Sequence, residues 1–218
     1  MKKLLSILIA GIMLMSLAAC GEKTHTTSDD KTQTQTENTQ TQTTVDEEKL
    51  YADTIGFTIE LENGGIMKGE LYPNLAPKTV ENFVTLAKDD FYDGLIFHRV
   101  IYDFMIQGGG FDKDMVPKDT DVIVGEFNAN GFKNPLKHTK GVLSMARTQD
   151  PNSASSQFFI MHADSPHLDG QYAAFGKVTE GLEFVDEIAE TKTTIYEPYG
   201  MTDVPEEPIV IKTITIND

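Results

Sequence analysis

Three residue types are scarce in this chain of 218 residues, which contains one cysteine, no tryptophan and only two arginines. The single cysteine, Cys20, excludes an intramolecular disulfide. The net charge of −16 argues against a nucleic-acid-binding surface. The sequence also lacks a Walker-type phosphate loop and any cysteine–histidine cluster with zinc spacing. We therefore expect no nucleic-acid partner and no metal site.

The scarcity of arginine is informative because sixteen lysines supply the remaining positive charge. A surface that needed charge only for solubility would use the two residue types interchangeably. Arginine differs from lysine in its planar, permanently charged fork of donors. Its restriction to Arg99 and Arg147 suggests two positions that require this fork.

The first twenty residues have the layout of a secretory signal. Two lysines precede the apolar run Leu4–Leu17, which is too short for a convincing membrane span. The following Ala18-Ala19-Cys20 completes a segment that resembles the lipobox of bacterial lipoproteins. The resemblance implies that Cys20 receives a diacylglyceryl group and becomes the first residue, which would anchor the protein stably. We expect a cell-membrane protein on the extracytoplasmic face; the alternative is an ordinary signal peptide cut near Ala19.

Residues 21–50 contain ten threonines and four glutamines but hardly any apolar side chain. Such a segment cannot bury enough surface to offset its ordering entropy, so we expect a disordered tether. All twelve phenylalanines follow it, which predicts a single folded domain over residues 51–218.

The domain is predicted to be mainly β. Residues Thr54–Leu61 alternate in polarity, Asn63-Gly64 offers a hairpin turn, and Ile66–Leu71 would return antiparallel. Further short β-rich runs are Ile96–Ile101, Gly141–Met145, Phe158–Met161, Ala173–Val178 and Ile209–Ile216. Two amphipathic helices are indicated, one beginning at Pro77 and one near Leu182. This pattern favours a closed antiparallel barrel covered by helices, although composition alone leaves a sandwich open.

Three segments carry a family resemblance: FHRVIYDFMIQGGG (Phe97–Gly110), GVLSMARTQDPNSASSQFFIMH (Gly141–His162) and HLDGQYAAFGKV (His167–Val178). Together they resemble the cyclophilins, which are peptidyl-prolyl cis-trans isomerases. The resemblance extends from about Phe57 to the C-terminus. It implies a closed eight-stranded antiparallel β-barrel capped by two α-helices, and an activity that needs no cofactor. The segments 111–137 and 193–208 fit the family pattern poorly.

The resemblance also implies the site. Arg99 matches the residue that donates a hydrogen bond to the prolyl nitrogen as the peptide bond twists. The matching substrate-binding positions are His98, Phe104, Met105, Gln107, Ala146, Arg147, Gln157, Phe159, His167, Leu168 and Tyr172. Among these, the positions that would hold the proline ring are Phe104, Met105, Phe159 and Leu168. Gln107 and Gln157 would hold the substrate backbone and orient the arginine. The strand segment at Ala146 and Arg147 would pair with the substrate backbone. His98 is assigned packing and hydrogen bonding, because isomerisation transfers no proton.

Three of these positions depart from the well-known eukaryotic members. His167 stands in place of tryptophan, Arg147 in place of asparagine, and Tyr172 in place of histidine. We therefore expect weak binding of the drug cyclosporin but ordinary isomerase activity.

The leading functional hypothesis is a monomeric, membrane-anchored prolyl isomerase acting on proline-containing exported polypeptides as they fold. An alternative is a chaperone module that holds proline segments without turnover. Arg99 discriminates between the two, because a pure binder has little use for a donor aimed at the twisted nitrogen. A solute-binding lipoprotein would fit the N-terminus equally well, but the domain is short for two lobes.

Overall fold

The first two strands form a hairpin whose side chains alternate between core and solvent. In a computed structural model that describes residues 49–217, β1 (Ile55–Leu61) pairs antiparallel with β2 (Ile66–Leu71). Gly64 takes the left-handed backbone conformation (φ +91°) in the turn between them. The predicted signal peptide (1–20) and nearly all of the predicted tether (21–50) lie outside the described residues.

The described part of the chain contains ten strands, two α-helices and two short 3₁₀ helices, which are joined by turns and loops. The remaining strands are β3 (Leu95–Ile101), β4 (Met105–Asp112), β5 (Val142–Met145), β6 (Phe158–Met161), β7 (Ala174–Glu180), β8 (Thr193–Tyr196), β9 (Met201–Pro205) and β10 (Ile211–Asn217). The helices are α1 (Pro77–Lys88) and α2 (Leu182–Ala189), with 3₁₀ turns at Asn128–Asn130 and Pro166–Leu168. Within residues 49–217, no helix has the length and apolar character needed to cross a membrane.

Eight strands form one curled antiparallel sheet in the order β10-β1-β2-β7-β5-β6-β4-β3, and β8 pairs with β9 in a separate hairpin. This confirms the prediction of a mainly β, eight-stranded fold with two helices. The closure is less complete than predicted, because edge strands β3 and β10 form no continuous ladder. They meet through the bridge Ile96–Val210 and two backbone hydrogen bonds, from Gly94 to Ile211 and from Phe97 to Ile209. The sheet is therefore a barrel with one short, loosely paired seam.

Helix α1 covers the core through Phe83, a fully buried residue. Its ring lies 5.3–6.3 Å, centroid to centroid, from four other aromatic rings, those of Phe57, Tyr92, Phe158 and Phe175. These aromatic residues come from three different strands and the segment before β3, so Phe83 joins widely separated parts of the chain. Burial of so much apolar surface is the main stabilising contribution to such a core.

The N-terminus of α1 is capped by a carboxylate from a distant segment. Glu126, almost fully buried, accepts hydrogen bonds from the backbone amides of Lys78 (3.0 Å) and Thr79 (2.8 Å). Ala76, at the capping position, provides no side-chain hydrogen bond of its own. A carboxylate at this end satisfies unpaired amides and complements the helix dipole. Glu126 thus fixes the long segment after β4 against the helix.

Candidate active site

An open cavity of about 390 Å³ lies between strands β3, β4 and β6, the segment after β5, and the second 3₁₀ helix. Ten of the twelve residues predicted for the site line it: Arg99, Phe104, Met105, Gln107, Ala146, Arg147, Phe159, His167, Leu168 and Tyr172. The other two, His98 and Gln157, lie behind this lining, where both approach Gln107. The fold therefore brings together residues that are far apart in the sequence.

Strand register explains why Arg99 and Gln107 are neighbours. They are cross-strand partners in the β3–β4 pair, and Gln107 in turn lies opposite Phe159 in the β4–β6 pair. Opposite residues in an antiparallel pair have Cβ atoms about 4.5–5.5 Å apart, so their side chains can interact directly. Three adjacent strands thus place the arginine, the glutamine and an aromatic residue of the cavity floor in one row.

A chain of polar side chains continues inward from the arginine. Arg99 Nη1 donates to Gln107 Oε1 at 3.4 Å, and Gln107 Nε2 donates to Gln157 Oε1 at 2.9 Å. The glycine run after Gln107 makes room for this arrangement, since a Cβ on Gly110 would lie 2.5 Å from the Gln157 side chain. Gln107 is therefore held from both sides, and it restrains the guanidinium that it accepts from.

His98 is buried and packs against Phe111, with ring centroids 4.8 Å apart. Burial lowers its pKa to about 4, outweighing the opposing effects of the Ile96 backbone and the Gln157 side chain. The imidazole is consequently neutral at physiological pH and does not line the cavity. This geometry fits the packing role predicted for it.

We predict that the protein loses stability as the pH falls from about 6.5 toward about 4, partly because of His98. In that interval the unfolded chain binds a proton at this histidine and the folded protein does not, so acid favours unfolding. The pKa of buried His138 is also lowered, mainly by desolvation, and acts in the same direction. Each histidine contributes a slope of at most about 1.4 kcal/mol per pH unit.

Urea unfolding at several pH values checks this, with His98→Gln as the test variant. The variant should show a shallower pH dependence of the unfolding free energy and retain the part that His138 contributes. Identical slopes in the two proteins would mean that His98 is protonated alike in the folded and unfolded states.

The floor of the cavity is apolar. Met105, Phe159 and Leu168 are 2%, 5% and 8% exposed, so each presents only a small area to the cavity. The Phe159 and Tyr172 rings meet edge to face with centroids 5.8 Å apart. His167 stacks on Phe104 at 5.8 Å, which places the imidazole beside an aromatic wall. Such a surface suits a compact apolar ring such as that of proline.

The side chain of Arg147 makes different contacts from that of Arg99. Its Nε and Nη2 atoms donate to the Gln171 carbonyl at 3.1 and 2.9 Å, and its Nη1 donates to the Thr148 carbonyl. The guanidinium also lies 4.6 Å from the centroid of the Tyr172 ring, a cation–π distance. Arg147 therefore holds the rim of the cavity together, whereas the Arg99 side chain is 39% exposed beside the floor.

The contacts of two supports of the site became apparent only from the structure. The first is a buried network in which His138 Nδ1 lies 3.2 Å from Asp169 Oδ1, and His138 Nε2 lies 3.0 Å from Ser144 Oγ. The composition resembles a hydrolytic triad, but Ser144 is fully buried and cannot reach a substrate. The network instead joins β5 to the 3₁₀ helix that carries His167 and Leu168. The second support is Asp203, whose carboxylate lies beside Arg99; nothing in the poorly matching segment 193–208 indicated it.

Comparison with known proteins agrees with this geometry. The family model described as cyclophilin type peptidyl-prolyl cis-trans isomerase/CLD matches residues 56–216. A peptidyl-prolyl cis-trans isomerase of Acinetobacter baylyi is 46% identical over 160 residues, covering 71% of this chain and 81% of the relative.

Solved structures give the same result. The crystal structure of a Cryptosporidium parvum cyclophilin type peptidyl-prolyl cis-trans isomerase matches with a TM-score of 0.63 at 30% identity, covering 76% of this chain and 98% of the other. A second structure of that isomerase, determined in the presence of the dipeptide Ala-Pro, matches with a TM-score of 0.61 at 30% identity and covers 75% and 99% of the two chains. Because the family model spans most of the chain and the fold and cavity agree, the chain belongs to the cyclophilin-type peptidyl-prolyl cis-trans isomerases.

Proposed function

We propose that this isomerase accelerates the rotation of X-Pro peptide bonds in exported polypeptides, at the outer face of the membrane that anchors it. The assignment of an isomerase site rests mainly on the position of Arg99, which is partly exposed at the edge of a cavity with an apolar floor and is held by Gln107. A cavity that only held proline segments would not need a restrained cation at its edge.

The chemistry follows from the electronic structure of the peptide bond. Delocalisation of the nitrogen lone pair into the carbonyl gives peptide bonds a rotational barrier of about 18–20 kcal/mol. In the twisted transition state the prolyl nitrogen becomes pyramidal and electron-rich. A fixed donor aimed at that nitrogen stabilises the twisted state more than either planar state, and therefore lowers the barrier. Arg99 is the donor, and its charge cannot be lost by deprotonation.

The remaining residues hold the substrate while one side of the bond rotates. The surface that holds the proline ring is formed by Phe104, Met105, Phe159 and Leu168. Within residues 49–217, no intramolecular hydrogen bond uses the Arg147 amide or the Ala146 carbonyl. These two groups belong to one trans peptide unit and point in opposite directions, so an extended substrate can pair with only one of them as an added strand. The Ala146 amide, in contrast, already donates to the Gln157 carbonyl at 2.9 Å.

The site of action is inferred from the N-terminal sequence. The chain begins with a signal-like segment ending in Ala19-Cys20, which a threonine- and glutamine-rich segment follows. This arrangement is expected of a domain that a flexible tether connects to a lipid anchor. Uncatalysed X-Pro isomerisation takes tens to hundreds of seconds at 25 °C. Exported chains that fold outside the cytoplasmic membrane would remain exposed to proteolysis during this time.

Refolding of an exported protein that contains a native cis-proline tests the proposal. The full chain in detergent should accelerate the slow, proline-limited refolding phase in proportion to its concentration, and leave the faster phases unchanged. A matched substrate in which that proline is replaced provides the control. Equal acceleration of both substrates, or acceleration of neither, would contradict a prolyl-isomerase role in folding.

We predict weak inhibition by cyclosporin and a gain on replacing His167 with tryptophan. An indole provides a broader apolar contact than imidazole together with one N–H donor, and aromatic anchors often carry a large share of binding energy. His167→Trp should therefore tighten cyclosporin binding by roughly 1–3 kcal/mol. Isothermal titration calorimetry measures the change, and turnover of a short X-Pro peptide should stay close to that of the unmodified protein.

His167→Phe serves as the matched control, because it adds aromatic area without a hydrogen-bond donor. A gain that requires tryptophan would assign part of the effect to the indole N–H. Tight inhibition of the unmodified protein, or no gain with either ring, would show that His167 is not at the drug-contacting rim.

A further inference from the structure

The β8–β9 hairpin brings a carboxylate to the arginine of the site. Asp203 Oδ2 lies 3.9 Å from Arg99 Nε, and the two side chains are 36% and 39% exposed. Among the residues from 49 to 217, no other carboxylate forms an ion pair with Arg99. This hairpin belongs to the segment that fits the family pattern poorly, so neither its course nor its contact with Arg99 followed from the sequence.

Packing fixes the position of this carboxylate. The next residue, Val204, is 5% exposed and is buried in a cluster with Ile96 of β3 and Met115. Tyr196 and Met201 of the same hairpin pack against that cluster. Because β3 carries both Ile96 and Arg99, one set of apolar contacts determines the distance between the hairpin and the arginine. Asp203 is therefore held against β3 and is not a freely moving surface side chain.

The local backbone favours this residue type. Asp203 has a φ of +64°, in the left-handed region that aspartate, asparagine and glycine tolerate better than other residues. The Thr202 hydroxyl donates to Asp203 Oδ2 at 2.8 Å, which orients the carboxylate. Backbone and neighbour together restrict where the negative charge can lie.

The guanidinium consequently has a hydrogen-bond acceptor at one nitrogen atom and a charged neighbour at another. Gln107 Oε1 accepts from Nη1, while Asp203 lies beside Nε. A single contact would leave the planar group free to swing about it, whereas two contacts at different nitrogens define its plane. A donor acts on a transition state only if its direction is fixed before the reaction, since reorientation during the reaction costs free energy.

We propose that Asp203 is a positioning residue that holds the Arg99 guanidinium in its catalytic plane. This inference rests on the proposed isomerase function of Arg99. Asp203 does not line the cavity, so its loss should reduce the rate of rotation in the bound peptide and not the binding of that peptide. Because the pair is partly exposed and its atoms are 3.9 Å apart, the expected effect is modest.

The experiment compares the full chain in detergent with Asp203→Asn and Asp203→Gly, both of which suit a positive φ. Exchange NMR on an uncharged X-Pro peptide gives kcat and KM separately. We expect both variants to lower kcat about two- to fivefold at unchanged KM, the size typical of an exposed ion pair. Glu197→Gln, an exposed charge removal in the turn of the same hairpin, is the matched control and should leave kcat unchanged.

A spectroscopic readout separates positioning from a general effect on the fold. The Arg99 Nε–Hε resonance should shift and exchange faster with water in both Asp203 variants, but not in Glu197→Gln. Unchanged kcat and an unchanged Arg99 resonance in Asp203→Asn would overturn the proposal, as would an effect seen in Asp203→Gly alone. If the unmodified protein fails to isomerise the peptide, the proposed function fails, and the Arg99 resonance still decides whether Asp203 restrains the guanidinium.

Discussion

Replacing Arg99 with alanine is expected to lower the turnover of X-Pro peptides by about 10²–10³-fold, the usual cost of removing one preorganised donor. The variant keeps the apolar floor of the cavity, so peptide binding should weaken far less than turnover does. Arg99 is partly exposed, and so is its ion-pair partner Asp203. The loss of Arg99 should therefore leave the melting temperature nearly unchanged. A protease-coupled assay on short X-Pro peptides measures the rate.

Two further variants test whether the effect requires the planar fork of arginine and whether it is specific to position 99. Arg99→Lys keeps the charge but loses the planar fork, so it should recover only a small part of the activity. Arg147→Ala removes the one other arginine of the chain. Because the Arg147 donors bind the Gln171 and Thr148 carbonyls, its loss should loosen the rim and raise KM more than it lowers kcat. Near-normal turnover in a well-folded Arg99→Ala variant would refute the mechanism.

Replacing Cys20 with serine is expected to abolish lipid attachment and to release the protein from the membrane. A hydroxyl cannot form the thioether through which a lipobox cysteine carries its diacylglyceryl group. Cys20 is the only thiol in the sequence, so no other position can substitute for it. Labelling cells with radioactive fatty acid and separating membranes by centrifugation measures both effects.

The control for this variant is its activity. Purified Cys20→Ser protein should turn over X-Pro peptides at the rate of the unmodified chain, because Cys20 precedes the region matched by the isomerase family model. Equal incorporation of label into both proteins would show that the lipid is attached elsewhere or that the signal is not a lipoprotein signal.

Local sequence patterns predicted the elements whose structure depends on neighbouring residues. Alternation and the Asn63-Gly64 turn identified the β1–β2 hairpin, and Pro77 marked the first residue of α1. Strand β4 was missed as a separate strand, because Gly108, Gly109 and Gly110 hide its alternation. In the structure these glycines allow close approach of neighbouring side chains, Gln157 among them.

Features that depend on distant residues could not be predicted in the same way. The segment 111–137 fits the family pattern poorly, yet its residue Glu126 caps α1 from a separation of 47 residues. Asn134 similarly donates to the carbonyls of Glu126 and Ala174, the latter 40 residues away. Polar contacts of this kind leave no spacing pattern, because each depends on where the completed fold places the partner.

The candidate site was predictable to the extent that it lies within the matching segments. Arg99, Gln107 and Phe159 are brought into one row by strand register, and each was identified from the family resemblance. Asp203 was not identified, because the hairpin that carries it fits the family pattern poorly and is positioned by the apolar contacts of Val204. Resemblance thus indicated the shared chemistry, and only the structure indicated what surrounds it in this chain.

The most direct test of the central claim is the rate of cis–trans exchange in an X-Pro peptide, followed by exchange NMR in the presence of catalytic amounts of the full chain in detergent. We predict exchange cross-peaks between the cis and trans resonances whose build-up rate rises linearly with protein concentration, and whose equilibrium populations do not change. Uncatalysed isomerisation takes tens to hundreds of seconds at 25 °C. If the peptide binds and its isomerisation remains this slow, the result would contradict the account and assign the cavity to a proline-binding module.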